Sequence, residues 1–174
     1  MSNTFLVSDT HFGHLGVCKF LGKDSVTKLR PWDTPEEMDE AMVARWNQAV
    51  KPQDKVYHLG DAVINRKALK TLARLNGRKI LIKGNHDIFK LEDYVPYFQD
   101  IRAYHVLDNK ILSHIPVFRD GLYRFSTNIH GHLHDRQVML DGAPDPKYYS
   151  VCVELHDFAP VEWSVVNKAI ASLV

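Results

Sequence analysis

The side chains able to do chemistry fall into five short groups along the chain: Asp9-Thr10-His11, Gly60-Asp61, Gly84-Asn85-His86-Asp87, Ser113-His114 and Gly131-His132-Leu133-His134. Carboxylate oxygens, an amide oxygen and imidazole nitrogens, with no thiolate among them, suit manganese, iron or zinc and fit a structural zinc site poorly. His132 and His134 are two residues apart, so an extended backbone puts both imidazoles on one side. Ten histidines in 174 residues is the one unusual figure in the composition, and it agrees with a metal site.

Those groups need elements to hold them. Three of them end apolar runs: Thr4 to Ser8, Lys55 to Leu59, and Lys79 to Lys83. Ile80-Leu81-Ile82 has the continuous apolar pattern of a strand covered on both faces, and open α/β sheets place ligands at such strand ends. Gly84 then permits a tight turn and a close approach. Residues 9 to 33 read as a loop. Thr34 is the expected N-cap of a helix running to about Val50, with Pro35 at its first position and Glu37 completing a capping box. Asn65 caps a second helix over 67 to 75 that ends at Gly77. This β-α-β-α-β order favours parallel strands with right-handed crossovers. A short helix is expected within 90 to 99. Strands then follow at 101 to 107, 110 to 113, 128 to 131 and 148 to 155, with a turn at Asp108-Asn109. A final helix covers 165 to 173, capped by Ser164.

The bulk numbers exclude several classes. A chain of 174 residues, 45% apolar and 25% charged, reads as one ordinary globular domain spanning 1 to 174. The 22 basic and 21 acidic residues leave a net charge of +1, so no global field favours duplex nucleic acid or an anionic membrane. No apolar run approaches a membrane span, and the N-terminus lacks a signal core. Cys18 and Cys152 have no close partner in sequence, so the cytoplasm is the expected compartment.

The five groups, in this order from Asp9 to His134, resemble the calcineurin-like metallophosphoesterase family. The resemblance implies a four-layer α/β/β/α sandwich of two mixed sheets, with the site at the loops joining them and no cap domain. It implies two divalent metal ions, manganese first, with iron, zinc or nickel as alternatives. Asp9, His11 and His134 would hold one ion, Asn85, His114 and His132 the other, and Asp61 would bridge them. Two cations roughly 3.5–4 Å apart require such a shared anion. His86 matches the family histidine that serves the leaving oxygen, and Asp87 is expected to hold its ring. His58 reads as a core histidine, His130 as a support, and His14 as a polar loop residue.

The function implied is hydrolysis of a phosphodiester or phosphomonoester by a metal-bridging hydroxide, on a small or single-stranded substrate. The diester is preferred because no cap is evident. A nuclease of DNA or RNA is the first alternative, and a non-catalytic protein-binding scaffold the second.

Overall fold

The computed structural model describes residues 2–173. Strand β1 (Thr4–Val7) is followed by helix α1 (Pro35–Ala49), β2 (Lys55–His58), a 3-10 helix (Arg66–Arg74) and β3 (Arg78–Ile82). Helix α2 (Leu91–Tyr94) leads into β4 (Asp100–Arg102), β5 (His105–Leu107) and β6 (Lys110–Leu112). A 3-10 turn (Arg119–Leu122) precedes β7 (Thr127–His130), and a small ribbon, β8 (Met139–Leu140) with β9 (Ala143–Pro144), precedes β10 (Tyr148–Ser150). A second 3-10 turn (Val153–Leu155), β11 (Val161–Glu162) and α3 (Trp163–Ala171) complete the chain.

The protein is mixed α/β, built on two mixed sheets. The first has the order β11-β1-β2-β3-β4, the second β10-β7-β6-β5. Strands β1 to β4 are parallel, as the alternating order demands, and β11 closes the edge antiparallel. Side-chain alternation sends Phe5, Val7, Val56 and Leu81 to one face, where Met38, Met42 and Trp46 of α1 and Leu69 and Leu72 of the 3-10 helix cover them. Leu6, Tyr57, Ile80 and Ile82 point the other way, into a cluster with Leu112 and Ile129 of the second sheet and Val166 and Ile170 of α3. The outer face of the second sheet is covered by the loop after His114. Asn128 accepts the Val117 N–H at 2.9 Å, and the Tyr148 hydroxyl donates to the Val117 carbonyl at 2.7 Å.

Helix α1 begins as expected, with the Thr34 hydroxyl accepting the Glu37 N–H. Several other elements depart from the sequence reading. The second helix is 3-10, because Leu69, Leu72 and Leu75, all buried, repeat every three residues, which is the 3-10 period. The strand expected over 101 to 107 breaks at the exposed pair Ala103-Tyr104, and its halves β4 and β5 enter different sheets. The helix expected within 90 to 99 is a single turn. The strand expected over 148 to 155 ends at Ser150, because the chain leaves β7 to pair with β1: Val153 N–H reaches the Ser8 carbonyl at 3.2 Å. Helix α3 starts at Trp163 with Glu162 at its N-cap, and Ser164 instead donates its hydroxyl to the Glu162 carboxylate.

Trp46 ties α1 to the strand ends. It is 2% exposed, donates its indole N–H to the Asn76 carbonyl at 2.9 Å, and stacks on His58, with ring centroids 6.2 Å apart. Trp46→Ala is expected to lower the unfolding free energy by about 3–5 kcal/mol, and Trp46→Phe, which leaves that carbonyl unpaired, by about 1 kcal/mol. Urea denaturation checks both values; equal losses would mean that the ring contributes nothing beyond the hydrogen bond.

Candidate metal centre

The five groups meet at one end of the first sheet. Strand pairing continues past the strands proper. Asp9 N–H donates to the Gly60 carbonyl at 2.9 Å, and His11 N–H to the Asp61 carbonyl at 3.0 Å. At this point the backbone turns left-handed: Asp9, His11, Asp61, His132 and His134 all have positive φ, between 50° and 73°. Asp and His tolerate that region better than most residues, yet each still costs on the order of 1 kcal/mol. The result is that successive side chains turn toward a common centre instead of alternating away from it.

Two glycines allow the loops to close on one another. A Cβ on Gly84 would lie 2.2 Å from an Asp61 carboxylate oxygen, and one on Gly131 would lie 2.5 Å from an Asp9 oxygen. Backbone amides then lock the carboxylates in place. Asp9 Oδ2 accepts the His132 N–H at 2.9 Å and the Cys152 thiol at 3.3 Å, while Asp61 Oδ1 accepts the His86 N–H at 2.8 Å.

Two sets of ligand atoms result. Asp9, His11 and His134 bring theirs within 4.8 Å of one another, and Asp61, His114 and His132 do the same. Asp61 lies between the sets, its Oδ2 3.6 Å from His11 Nε2 and 3.3 Å from His114 Nε2. Asn85 joins the second set, with Oδ1 2.8 Å from His114 Nε2. His114 Nδ1 faces the Leu59 carbonyl at 2.7 Å, which assigns the ring proton to Nδ1 and turns the other nitrogen inward. Asp9, His11, Asp61, Asn85, His114, His132 and His134 are therefore brought together in one place.

The electrostatics fit a cation. Burial opposes charge on Asp9, but the surrounding imidazoles of His11, His114 and His134 overcome it and hold the carboxyl well below its ordinary value. Burial likewise opposes charging of His114, and Asp61 and Asp9 outweigh it, raising that imidazole. Asp9 Oδ1 and both ring nitrogens of His11 are buried with no hydrogen-bond partner among the described residues. An orphaned buried polar atom costs about 1–3 kcal/mol, so three in one place point to a partner that is neither backbone nor side chain.

His86 is exposed at the rim, its ring 5.5 Å from that of His11. Asp87 does not hold it, contrary to the sequence reading. Its carboxylate, 1% exposed, accepts the N–H groups of Asp61 at 2.8 Å, Ala62 at 2.9 Å and Gly84 at 2.9 Å. Buried backbone amides at these turns have no strand partner, and Asp87 satisfies them while stitching two ligand loops together. His58 is a core histidine: its Nε2 meets the Thr10 hydroxyl at 2.9 Å, and burial pushes its pKa down to about 3. His130 is buried, with Nδ1 2.8 Å from the Gly131 carbonyl.

The sequence reading missed Arg30 and Glu154. Arg30 is fully buried. Its guanidinium donates to the carbonyls of Asp9 at 2.5 Å and Thr10 at 2.8 Å, and twice to Glu154 Oε1, at 2.9 and 2.6 Å. The same Glu154 oxygen receives His134 Nδ1 at 3.0 Å. A carboxylate on the far nitrogen is the usual orienting partner of a ligating imidazole. No local motif marks either residue, since Arg30 lies in a loop and Glu154 in a stretch that reads as strand.

A model of the calcineurin-like phosphoesterase family matches residues 3–164. The chain is a calcineurin-like phosphoesterase. An uncharacterized protein of Methanocaldococcus jannaschii is 33% identical, covering 98% of this chain and 92% of that one. The Gene 66 protein of a Mycobacterium phage is 28% identical over 93% and 94%. The crystal structure of a protein of unknown function from Aquifex aeolicus shares the fold, with a TM-score of 0.71 at 22% identity, over 97% of this chain and 100% of that one. Membership makes this calcineurin-like phosphoesterase a metal-dependent hydrolase of phosphate esters. Among its described residues no helix is long and apolar enough to cross a membrane.

Glu154→Gln is expected to weaken divalent-metal binding at the Asp9/His11/His134 set by about 10–100-fold, the usual cost of losing an orienting partner, while the Asp61/His114/His132 set keeps its affinity. Calorimetric titration of metal-free protein with Mn²⁺ reads both events; an equal loss at both sets would make Glu154 a general scaffold residue.

Proposed function

We propose that the protein is a dinuclear phosphoesterase that hydrolyses small phosphodiesters. The position of Asp61 carries this reading, since one carboxylate oxygen lies within 3.6 Å of a histidine nitrogen from each ligand set. Seven ligand-type residues exceed what one ion with open positions uses, and their all-oxygen-and-nitrogen donor set favours manganese. Two divalent cations held there would neutralise phosphoryl oxygens and activate a water as nucleophile.

The chain's own groups do the rest. The Asp87 clamp and the Arg30–Glu154 brace hold the ligand loops in their strained turns before substrate arrives. His86, exposed beside His11, is placed to give a proton to the leaving oxygen. His14 stands 5.6 Å from His11, and burial pushes its pKa down to about 4, so it contributes a neutral ring and no fixed positive charge.

Several cations that could track a nucleic-acid backbone are engaged elsewhere. Arg119 pairs with Asp145 at 2.7 Å, Lys147 reaches the Phe125 carbonyl at 3.5 Å, and Arg124 lies over Tyr123. This supports a small or single-stranded substrate over a duplex, whose binding depends on neutralising many phosphates.

His86→Ala is expected to retain its metal and lose about 10²–10⁴-fold in turnover of alkyl phosphodiesters. Esters of nitrophenol, a leaving group that needs no proton, should lose far less. Parallel rate and metal assays on the two substrate classes decide it; equal losses on both would remove the proton-donor role. Elemental analysis of manganese-refilled protein should give two ions per chain, and saturation at one would remove the dinuclear reading.

A further inference from the structure

The loop between the first ligand group and α1 contains a built finger that the reaction above does not use. Leu29 N–H returns to the Phe20 carbonyl and Gly22 N–H to the Thr27 carbonyl, both at 2.8 Å, and Leu21 bridges Lys28 antiparallel. Asp24 closes the tip by accepting the N–H groups of Val26 and Thr27 and the Thr27 hydroxyl. The finger is docked on the Gly-His-x-His loop, where Lys23 N–H meets Asp135 Oδ2 at 2.5 Å. A Cβ on Gly22 would come within 2.9 Å of that same oxygen. At its base, Phe20 meets the His14 ring edge-on, 5.9 Å away at 89°.

This rigid support holds two large apolar side chains out in water, Phe20 at 47% and Leu21 at 53% exposure. They do not face away from the metal centre. Phe20, Leu21, Leu29 and Leu133 share a cavity of about 250 Å³ with His132 and His134, and Arg136 stands at the same cavity. One wall is therefore imidazole and another hydrocarbon, with the charged side chains of Asp135 and Arg136 completing the lining. A phosphate ester held at the imidazoles would have Phe20 within the same cavity.

We infer that this cavity is a subsite for a flat, heteroatom-bearing ring, and that the substrate is a phosphodiester carrying a single nucleoside. The inference rests on the phosphoesterase reading and names its substrate class. The volume falls below the roughly 300–1,000 Å³ usual for larger ligands, which suits one ring system. The Phe20 ring offers an aromatic face for stacking. The Arg136 guanidinium both stacks on planar groups and donates hydrogen bonds, which fits a base and is wasted on an alkyl chain.

The test uses manganese-loaded full-length protein and two esters with the same leaving group, thymidine 5′-(4-nitrophenyl phosphate) and methyl 4-nitrophenyl phosphate. The wild type should prefer the thymidyl ester in kcat/KM, and that preference should fall about tenfold in Phe20→Ala, the scale of one lost base stack. Leu21→Ala, also exposed, should lower it in the same direction. Titration with thymidine 5′-phosphate against inorganic phosphate reads the wall without turnover, and there too Phe20→Ala should weaken the nucleotide selectively. A preference that survives both substitutions, or a wild type that favours the methyl ester, overturns the subsite. A wild type that hydrolyses neither ester overturns the phosphodiesterase reading, and the titration still decides the wall.

Discussion

Acceptor atoms do not crowd together inside a protein without positive charge among them, and that constraint organises this molecule. Carboxylate oxygens of Asp9 and Asp61 lie within 3.3–3.8 Å of imidazole nitrogens that have no hydrogen-bond partner of their own or share one with an amide oxygen. In a buried site the repulsion between lone pairs is poorly screened. Cations among these atoms would relieve it, and without them the fold must hold the arrangement against its own electrostatics.

The backbone meets that demand with strain distributed over several loops. Five of the seven ligand-type residues sit in the left-handed region. Even at about 1 kcal/mol each, the sum approaches the low end of a domain's net stability, about 5 kcal/mol. Three features oppose it: parallel pairing carried beyond β1 and β2, the Asp87 carboxylate taking three amide protons, and Asp9 taking the His132 amide. Asp87 is thus a stabiliser of geometry, and its distance from the chemistry is one hydrogen bond through Asp61.

Arg30 and Glu154 extend the same logic behind the site. A buried ion pair is weak evidence for stability, since desolvation offsets most of its attraction. Here each partner has further duties: Arg30 satisfies two carbonyls at the Asp9 turn, and Glu154 orients His134. The pair links the loop that carries the exposed finger to the last ligand group. The finger and the last ligand-type group consequently share one support.

The ligand groups were legible in the chain because metal chemistry needs particular atoms, and strand ends put those atoms in short motifs: Asp9-x-His11, Gly60-Asp61, Gly84-Asn85-His86-Asp87, and Gly131-His132-x-His134. The parallel half of the first sheet and helix α1 were legible as well, because the apolar runs and the Thr34 cap are local signals. The second helix was readable as buried but not as 3-10, since three-residue and four-residue spacings blur over nine residues. The paths of 101 to 107 and 148 to 155 were not readable, because pairing partners far along the chain decide where a strand ends. Tertiary structure alone settled that Asp87 serves backbone amides and not His86, and that Arg30 and Glu154, 124 residues apart, meet behind His134. Such roles depend on which buried polar groups are left without partners once the elements have packed, and that is a property of the assembled fold.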